Sequence, residues 1–426
     1  MYIIGIDIGT TSICGVKIDI KSGKVISSKT VNSNVFIESE NTFEKIQSPE
    51  KIYSLAKEIL DSFVCDNTLS IGVTGQMHGI VYTDINGEAV SPLYTWQDER
   101  GNLPYKDTTY SAYLKTPCGY GNVTDYYNKV NNIRPKNAIS HCTIHDYFVM
   151  KICKNNRAVM HSSDAASLGM YDLLQNEFIY DVNVDVVNDY HIAGKYKNIP
   201  VSVAIGDNQA SVFSTLADDN DILFNVGTGS QVSVISNEIV KNECIETRPF
   251  FEGKYLLVGA ALCGGRAYSM LKNFYSKIIN YFSKCSDEKV YEIMDKMLEN
   301  SSTSGLYVDT RFAGTRNNPS IMGRIDEIST ENFSPEELTR GFLNGITEEL
   351  YCMYSSVNIQ KTGLVGSGNG IRKNKHLIKI VEEKFNAKMK IPFHLEEAAF
   401  GAALFSAISA GLFKNRNEAV RLIKYL

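Results

Sequence analysis

Apolar residues fall in short runs whose spacing predicts alternating strands and helices. Residues 2–8, Tyr-Ile-Ile-Gly-Ile-Asp-Ile, are a nearly unbroken apolar run carrying one charge, Asp7, and read as a buried strand. A Gly9-Thr10-Thr11-Ser12 turn follows, then alternation over 13–20 and, past Ser22-Gly23, a third strand over 25–31. Residues 49–64 put Ile52, Leu55, Ala56, Ile59, Leu60 and Phe63 at helical spacing, with Ser48 as N-cap and Pro49 in the first position. A strand over 69–73 leads to Thr74-Gly-Gln76-Met77-His78-Gly79. Residues 102–199 are rich in Tyr, Asn and Ser, with the clearest helical pattern over 144–152.

The middle of the chain carries the most informative pattern. An apolar run over 201–205 ends at Gly206-Asp207-Asn208 and a small-residue helix start, so a carboxylate stands at a strand end. The run over 223–226 breaks at Gly227-Thr228-Gly229-Ser230 and resumes over 232–235, a hairpin whose tight turn exposes backbone N–H groups. Beyond it come a strand over 255–262, a helix from Tyr268, a helix-rich stretch to Glu299, a strand at 306–308 and a loop over 314–319. Ser334-Pro335-Glu-Glu337 opens a helix to about Ser355. A strand then ends in Gly366-Ser-Gly368-Asn369-Gly370 before a helix over 374–385, and small residues fill a last helix from Glu396.

With 426 residues, 43% of them hydrophobic, the chain is long enough for two cored domains with a cleft. The boundary is expected just before the strand that delivers Asp207, giving domains 1–199 and 200–426. A net charge of −5 argues against nucleic acid as a partner. No apolar run approaches the roughly 20 residues that span a bilayer. Nine cysteines without a CxxC pair, and a strand beginning at once after Met1, point to a reduced, cytoplasmic protein without structural zinc.

Two readings stay open for Asp7 on residue grounds. It is either satisfied by local N–H groups in a meander or held by a cation, since a lone carboxylate among isoleucines is costly. Asp207 beside a phosphate-sized turn points to deprotonation of a nucleophile where a phosphoryl group is held. His78 reads either as a core histidine or, with Gln76 and Met77, as a pocket wall. Trp96-Gln-Asp98-Glu-Arg100 reads as a surface salt bridge in its plainest form.

Taken in order, Asp7-Ile-Gly-Thr-Thr-Ser12, Gly75-Gln-Met-His-Gly79, Trp96-Gln-Asp98-Glu-Arg100, Gly206-Asp207-Asn-Gln-Ala-Ser211, Gly227-Thr-Gly229, Gly366-Ser-Gly368-Asn and Glu396-Glu-Ala-Ala-Phe-Gly401 resemble the FGGY carbohydrate kinases. The wording of Ser140-His-Cys-Thr-Ile-His-Asp146-Tyr and of Gly314-Thr-Arg316 is most similar to the members acting on sedoheptulose. The resemblance implies two ribonuclease-H-like α/β domains of the actin, hexokinase and Hsp70 ATPase type, each with a mixed five-stranded sheet, and ATP and sugar in the interdomain cleft. It implies Asp207 as catalytic base and Asp7 as the ligand of Mg²⁺ through water. Gln76, Met77, His78, Asp98 and Asn208 are implied at the sugar. Gly9, Thr10, Thr11, Ser12, Gly227, Thr228 and Gly229 are implied at the ATP phosphates, and Gly366, Gly368 and Asn369 at the adenosine. The implied activity is phosphorylation of a ketose, sedoheptulose first, with xylulose, ribulose, gluconate or glycerol as alternatives. A non-enzymatic sugar sensor or actin-like assembly protein is the alternative class. The expected partner is a small sugar, for a monomer or homodimer, with no nucleic acid and no membrane.

Overall fold

The computed structural model describes residues 1–300, 305–315, 318 and 320–426; Arg316 and Pro319 of the expected loop lie outside these. The chain forms two compact units. The first comprises Met1–Ala217, Arg248–Tyr255 and His394–Lys424, and the second Asp218–Thr247, Leu256–Phe393 and Tyr425–Leu426.

In the first unit, β1 (Tyr2–Ile8), β2 (Ser12–Asp19) and β3 (Val25–Asn32) form the antiparallel meander that the alternation predicts. After α1 (Pro49–Phe63), the strand β4 (Thr68–Gly75) lies parallel to β1. Ser48 caps α1 by accepting from Lys51 N–H, and Pro49 takes the first turn, where its missing N–H costs nothing. Further along are the helices α2 (Ile144–Ile152) and α3 (Ser162–Ser167), the strands β5 (Ile192–Tyr196), β6 (Ile199–Ser202) and β7 (Ile205–Gly206), and the helix α4 (Asp207–Thr215). The sheet runs β5-β6-β4-β1-β2-β3, with β7 also pairing with β4, so it has seven strands where five were expected. The additions are β5, which turns back on β6, and the short β7.

In the second unit, β8 (Asp221–Val226) and β9 (Ser230–Ser236) form the expected hairpin. With β10 (Glu246–Pro249), β11 (Tyr255–Ala261), β12 (Gly363–Ser367) and β13 (Met389–Lys390) they make a sheet of six strands, in the order β10-β11-β9-β8-β12-β13. Its helices are α5 (Gly264–Asn280), α6 (Asp287–Asn300), α7 (Pro335–Ser355), α8 (Gly368–Lys373) and α9 (Lys375–Phe385). Their apolar faces bury Leu271, Met294, Phe342, Ile346 and Val381 with Phe224 and Leu257 of the sheet.

The final helix, α10 (Glu397–Ser409), belongs to the first unit. It lies so close on β1 and β4 that a Cβ at Gly5 or Gly72 would stand 1.8 or 1.9 Å from the carbonyl oxygen of Ala399 or Ala402. A Cβ at Gly401 would stand 1.8 Å from Ala210 O of α4. The small residues of α10 therefore serve contact with the sheet and with a second helix. The first unit extends past the expected boundary to Ala217 because β6 pairs with β4 and α4 packs on α10. Phe251 sits 5.3 Å from Phe213 and 5.0 Å from Phe405, centroid to centroid, which holds 248–255 in the same core. No helix among the described residues is long and apolar enough to cross a membrane.

Candidate active site

Strand register gathers the two aspartates singled out by sequence. Asp7 pairs with Thr74 of β4, and Gly206, the residue before Asp207, pairs with Gly75 at the end of the same strand. Both carboxylates thus stand at the carboxyl ends of parallel strands flanking β4, where ligands collect in open α/β sheets. Burial, and next the Asp207 charge, push the Asp7 carboxyl up to about 7. Burial also raises Asp207, while His145 and Arg248 pull it back and the N–H of Asn208 holds its carboxylate.

Beneath them lies a group that the sequence did not flag. His145, near the start of α2, has Nε2 3.1 Å from Asp164 Oδ1 of α3, both side chains fully enclosed. Burial works against the imidazolium, but Asp164, Asp146 and Asp207 outweigh it and push His145 up to about 9. Asp146, which accepts from Thr143 Oγ1 at 2.7 Å, is raised well above the carboxylate range by burial and by Asp164. Asp164 leaves no local pattern in sequence, and neither does Arg248, an isolated basic residue before Pro249.

The turn at Gly9 is tied to the residues expected at the sugar. Thr10 Oγ1 donates to Gln76 Oε1 at 3.1 Å and accepts from Trp96 Nε1 at 3.0 Å. Gln47 Nε2 donates to Thr10 O at 2.7 Å, and Gln76 Nε2 donates to Gln47 Oε1 at 2.9 Å, closing a ring of hydrogen bonds. Thr11 is exposed and Ser12 half-buried beside it. Met77 packs its sulfur where a Cβ on Gly206 would stand, 2.7 Å away. His78 has φ +73, a left-handed conformation that His tolerates better than most residues. Its Nδ1 donates to Ser167 O at 2.7 Å and its ring stacks on Tyr120 at 4.2 Å, so the imidazole is fixed in orientation.

Asp98, expected at the sugar, has its carboxylate engaged within the protein. Its Oδ1 accepts from Arg100 N–H at 3.2 Å and Nε at 2.6 Å, and its Oδ2 from Arg100 Nη2 at 3.1 Å and Lys45 N–H at 3.1 Å. That fills the roughly four acceptor positions of a carboxylate. Arg100 is itself fully buried, lies over the Tyr94 ring at 4.2 Å and donates to Asn128 Oδ1 at 2.5 Å. The motif that suggested a surface salt bridge is a buried ion pair anchoring the Trp96 loop.

In the second unit the Gly227-Thr228-Gly229 turn is braced by the start of α5. Gly265 N–H donates to Gly227 O at 3.0 Å and Arg266 N–H to Thr228 O at 2.9 Å. A Cβ on Gly265 would lie 2.3 Å from Gly227 O, so the helix begins at Gly264, earlier than Tyr268, on residues small enough to fit the turn. Gly368 has φ +82, and a Cβ there would meet Val226 O at 2.5 Å; one on Gly366 would meet Met389 Sδ at 2.2 Å. Both glycines thus have a packing role in this sheet whatever lies above them. Asn369 follows in the first turn of α8.

Residues 2–106 match the FGGY family of carbohydrate kinases, N-terminal domain. Sedoheptulokinase of Mus musculus is 26% identical over 471 aligned residues, covering 94% of this chain and 96% of that protein. A ligand-bound xylulose kinase from Lactobacillus acidophilus superposes with a TM-score of 0.85 at 16% identity, over all of this chain and 92% of its own. Plasmodium falciparum glycerol kinase with ADP follows with a TM-score of 0.76 at 17% identity, over 99% and 92% of the two chains. The two-domain α/β architecture of the actin and hexokinase type is therefore the fold of this chain.

Proposed function

We propose that the protein is a carbohydrate kinase of the FGGY family, as its likeness to that family's N-terminal domain and to the mouse sedoheptulokinase supports, and that it transfers the γ-phosphate of ATP to a terminal hydroxyl of a ketose, giving sedoheptulose 7-phosphate from sedoheptulose. The observation that carries this reading is the pair Asp7 and Asp207 at strand ends flanking β4, with the Asp207 charge acting on the ionisation of Asp7. Asp207 takes the proton of the attacking hydroxyl. In a loose phosphoryl-transfer transition state that proton leaves late, so the position of the carboxylate matters more than its basicity.

The residues present fit Mg²⁺. Asp7 is a half-buried carboxyl whose charge is disfavoured by burial and by Asp207, and a divalent cation beside it offsets both. Asp7 holds the ion through water, in keeping with magnesium's reluctance to shed its hydration. When bound, the ion neutralises charge on the transferring phosphates. In the first unit the N–H groups of the Gly9–Ser12 turn are offered to phosphate; in the second, those of the Gly227–Gly229 turn are offered to phosphate and Gly366, Gly368 and Asn369 to the adenosine.

Gln76, Met77, His78 and Asn208 line the sugar pocket. The stack of His78 on Tyr120 presents one fixed imidazole face, suited to a polyol recognised hydroxyl by hydroxyl. Asp98 supports this wall through Arg100 and does not touch the sugar. The likeness to the mouse sedoheptulokinase supports the choice of a seven-carbon ketose. Nine free cysteines fit a reducing cytoplasm.

The test is ADP release from ATP and Mg²⁺ with sedoheptulose, xylulose, ribulose, gluconate, glycerol and no sugar, and Asp207→Asn run alongside. Sedoheptulose is expected to give the highest kcat/KM, and Asp207→Asn to lose turnover while binding ATP. Equal turnover with and without every sugar overturns the kinase reading; a different best sugar overturns only the substrate.

A further inference from the structure

The His145 and Asp164 side chains form a fully enclosed ion pair at the end of β4, the strand beside which Asp7 and Asp207 stand. Their 3.1 Å contact is fully enclosed, and neither Asp164 oxygen nor His145 Nδ1 has another hydrogen-bond partner among the described residues. The two ends of the pair reach the two aspartates by different routes. His145 Nδ1 lies 3.1 Å from the point where a Cβ on Gly75 would stand, and Gly75 is the residue paired with Ile8, after Asp7, and with Gly206, before Asp207. Ser163, the neighbour of Asp164, accepts from Gly206 N–H through its Oγ at 3.1 Å.

We infer that His145, locked by Asp164 beside Gly75 at the end of β4, is a positioning residue that supplies the buried cation against which Asp207 is set. This rests on the assignment of Asp207 as base. Four carboxyls, Asp7, Asp146, Asp164 and Asp207, share this part of the unit with Glu396 acting on Asp7 from the side of α10; the cations facing Asp207 are His145 and Arg248. Enclosed with Asp164 at the end of β4, a fixed imidazolium acts strongly on Asp207. Gly75 follows from the same geometry, because a Cβ there would stand 2.7 Å from Ile8 O and 3.1 Å from the imidazole, crowding both.

The experiment measures kcat, KM for sugar and ATP, and the pH profile of kcat/KM for the wild type, His145→Gln, His145→Gln/Asp164→Asn and Asp207→Asn. The paired variant removes both charges together, so it reads the same point if His145→Gln alone fails to fold with Asp164 left ionised. The expected result is a kcat lower by about tenfold or more with both KM values within about twofold, and an acid limb moved up by about one pH unit or more, the effect of losing one nearby opposite charge. A merely structural role lowers the active fraction and leaves the pH profile in place. An unchanged acid limb and kcat in either His145 variant overturns the inference while leaving Asp207 as base. Full activity in Asp207→Asn overturns the base assignment itself and, with it, the inference.

Discussion

Asp98→Ala separates a structural from a ligand-contact role for the Trp96 loop. The substitution removes the acceptors of four donors, the N–H, Nε and Nη2 of Arg100 and the N–H of Lys45. Arg100 has no exposed surface, and its remaining partners are Asn128 at 2.5 Å, Glu44 at 3.4 Å and the Tyr94 ring. Breaking one side of a buried pair costs about 3–5 kcal/mol because the other charge is left without its partner. Glu44 takes up part of that charge, which sets the lower end, about 3 kcal/mol. For a domain of this size each kcal/mol moves Tm by about 2–4 °C, so the expected loss is about 6–12 °C. Thermal unfolding followed by circular dichroism reads it, with ADP release on the surviving protein giving the sugar KM. Asp98→Ala/Arg100→Met is expected to regain most of the loss, since it removes the stranded charge. An unchanged Tm with a raised sugar KM refutes the reasoning and returns Asp98 to the sugar.

Further outcomes follow from other parts of the molecule. Asp207→Asn keeps the shape and removes the base, so kcat falls by about 10²–10⁴ while ATP affinity, read by calorimetry, holds. Gly401→Val drives a side chain into Ala210 O of α4 and is expected to unfold the first unit or lower Tm sharply by calorimetry, overpacking here having no side chain that can yield. Stability should fall as pH climbs from about 6.5 through 9 in titrations of denaturant midpoint. His145, raised to about 9, contributes fully below its unfolded pKa of about 6.5 and loses this as pH climbs through 9. His141 and His161, each pushed down to about 4 by burial, take stability away as pH drops from about 6.5 toward 4, and the carboxyl of Asp7, raised to about 7, opposes them over the same range. Thr10→Val breaks the ring through Gln76 and Trp96, and the fluorescence of Trp96, the sole tryptophan, should report it as a spectral shift.

The sequence alone determined what is local. Strand β1 with its single charge, the Pro49 start of α1, the hairpin at Gly227 and the position of Asp207 at a strand end all depend on residues a few places apart, and periodicity and capping read them directly. Tertiary structure decided what long loops bring together. Whether Asp98 faces a ligand or Arg100 depended on how deeply the loop is buried, which no local pattern sets. Gly5 of β1 and Gly72 of β4 make sense only once Ala399 and Ala402 lie against them, from a helix more than three hundred residues from β1. That same contact carries the end of the chain back into the first unit and moves its boundary away from Pro200. His145 and Asp164 are nineteen residues apart and sit on different helices. Their pairing comes from the packing of α2 on β4 and of α3 on β7, which pairs with β4, and in water neither charge would require the other; enclosure makes each depend on the other.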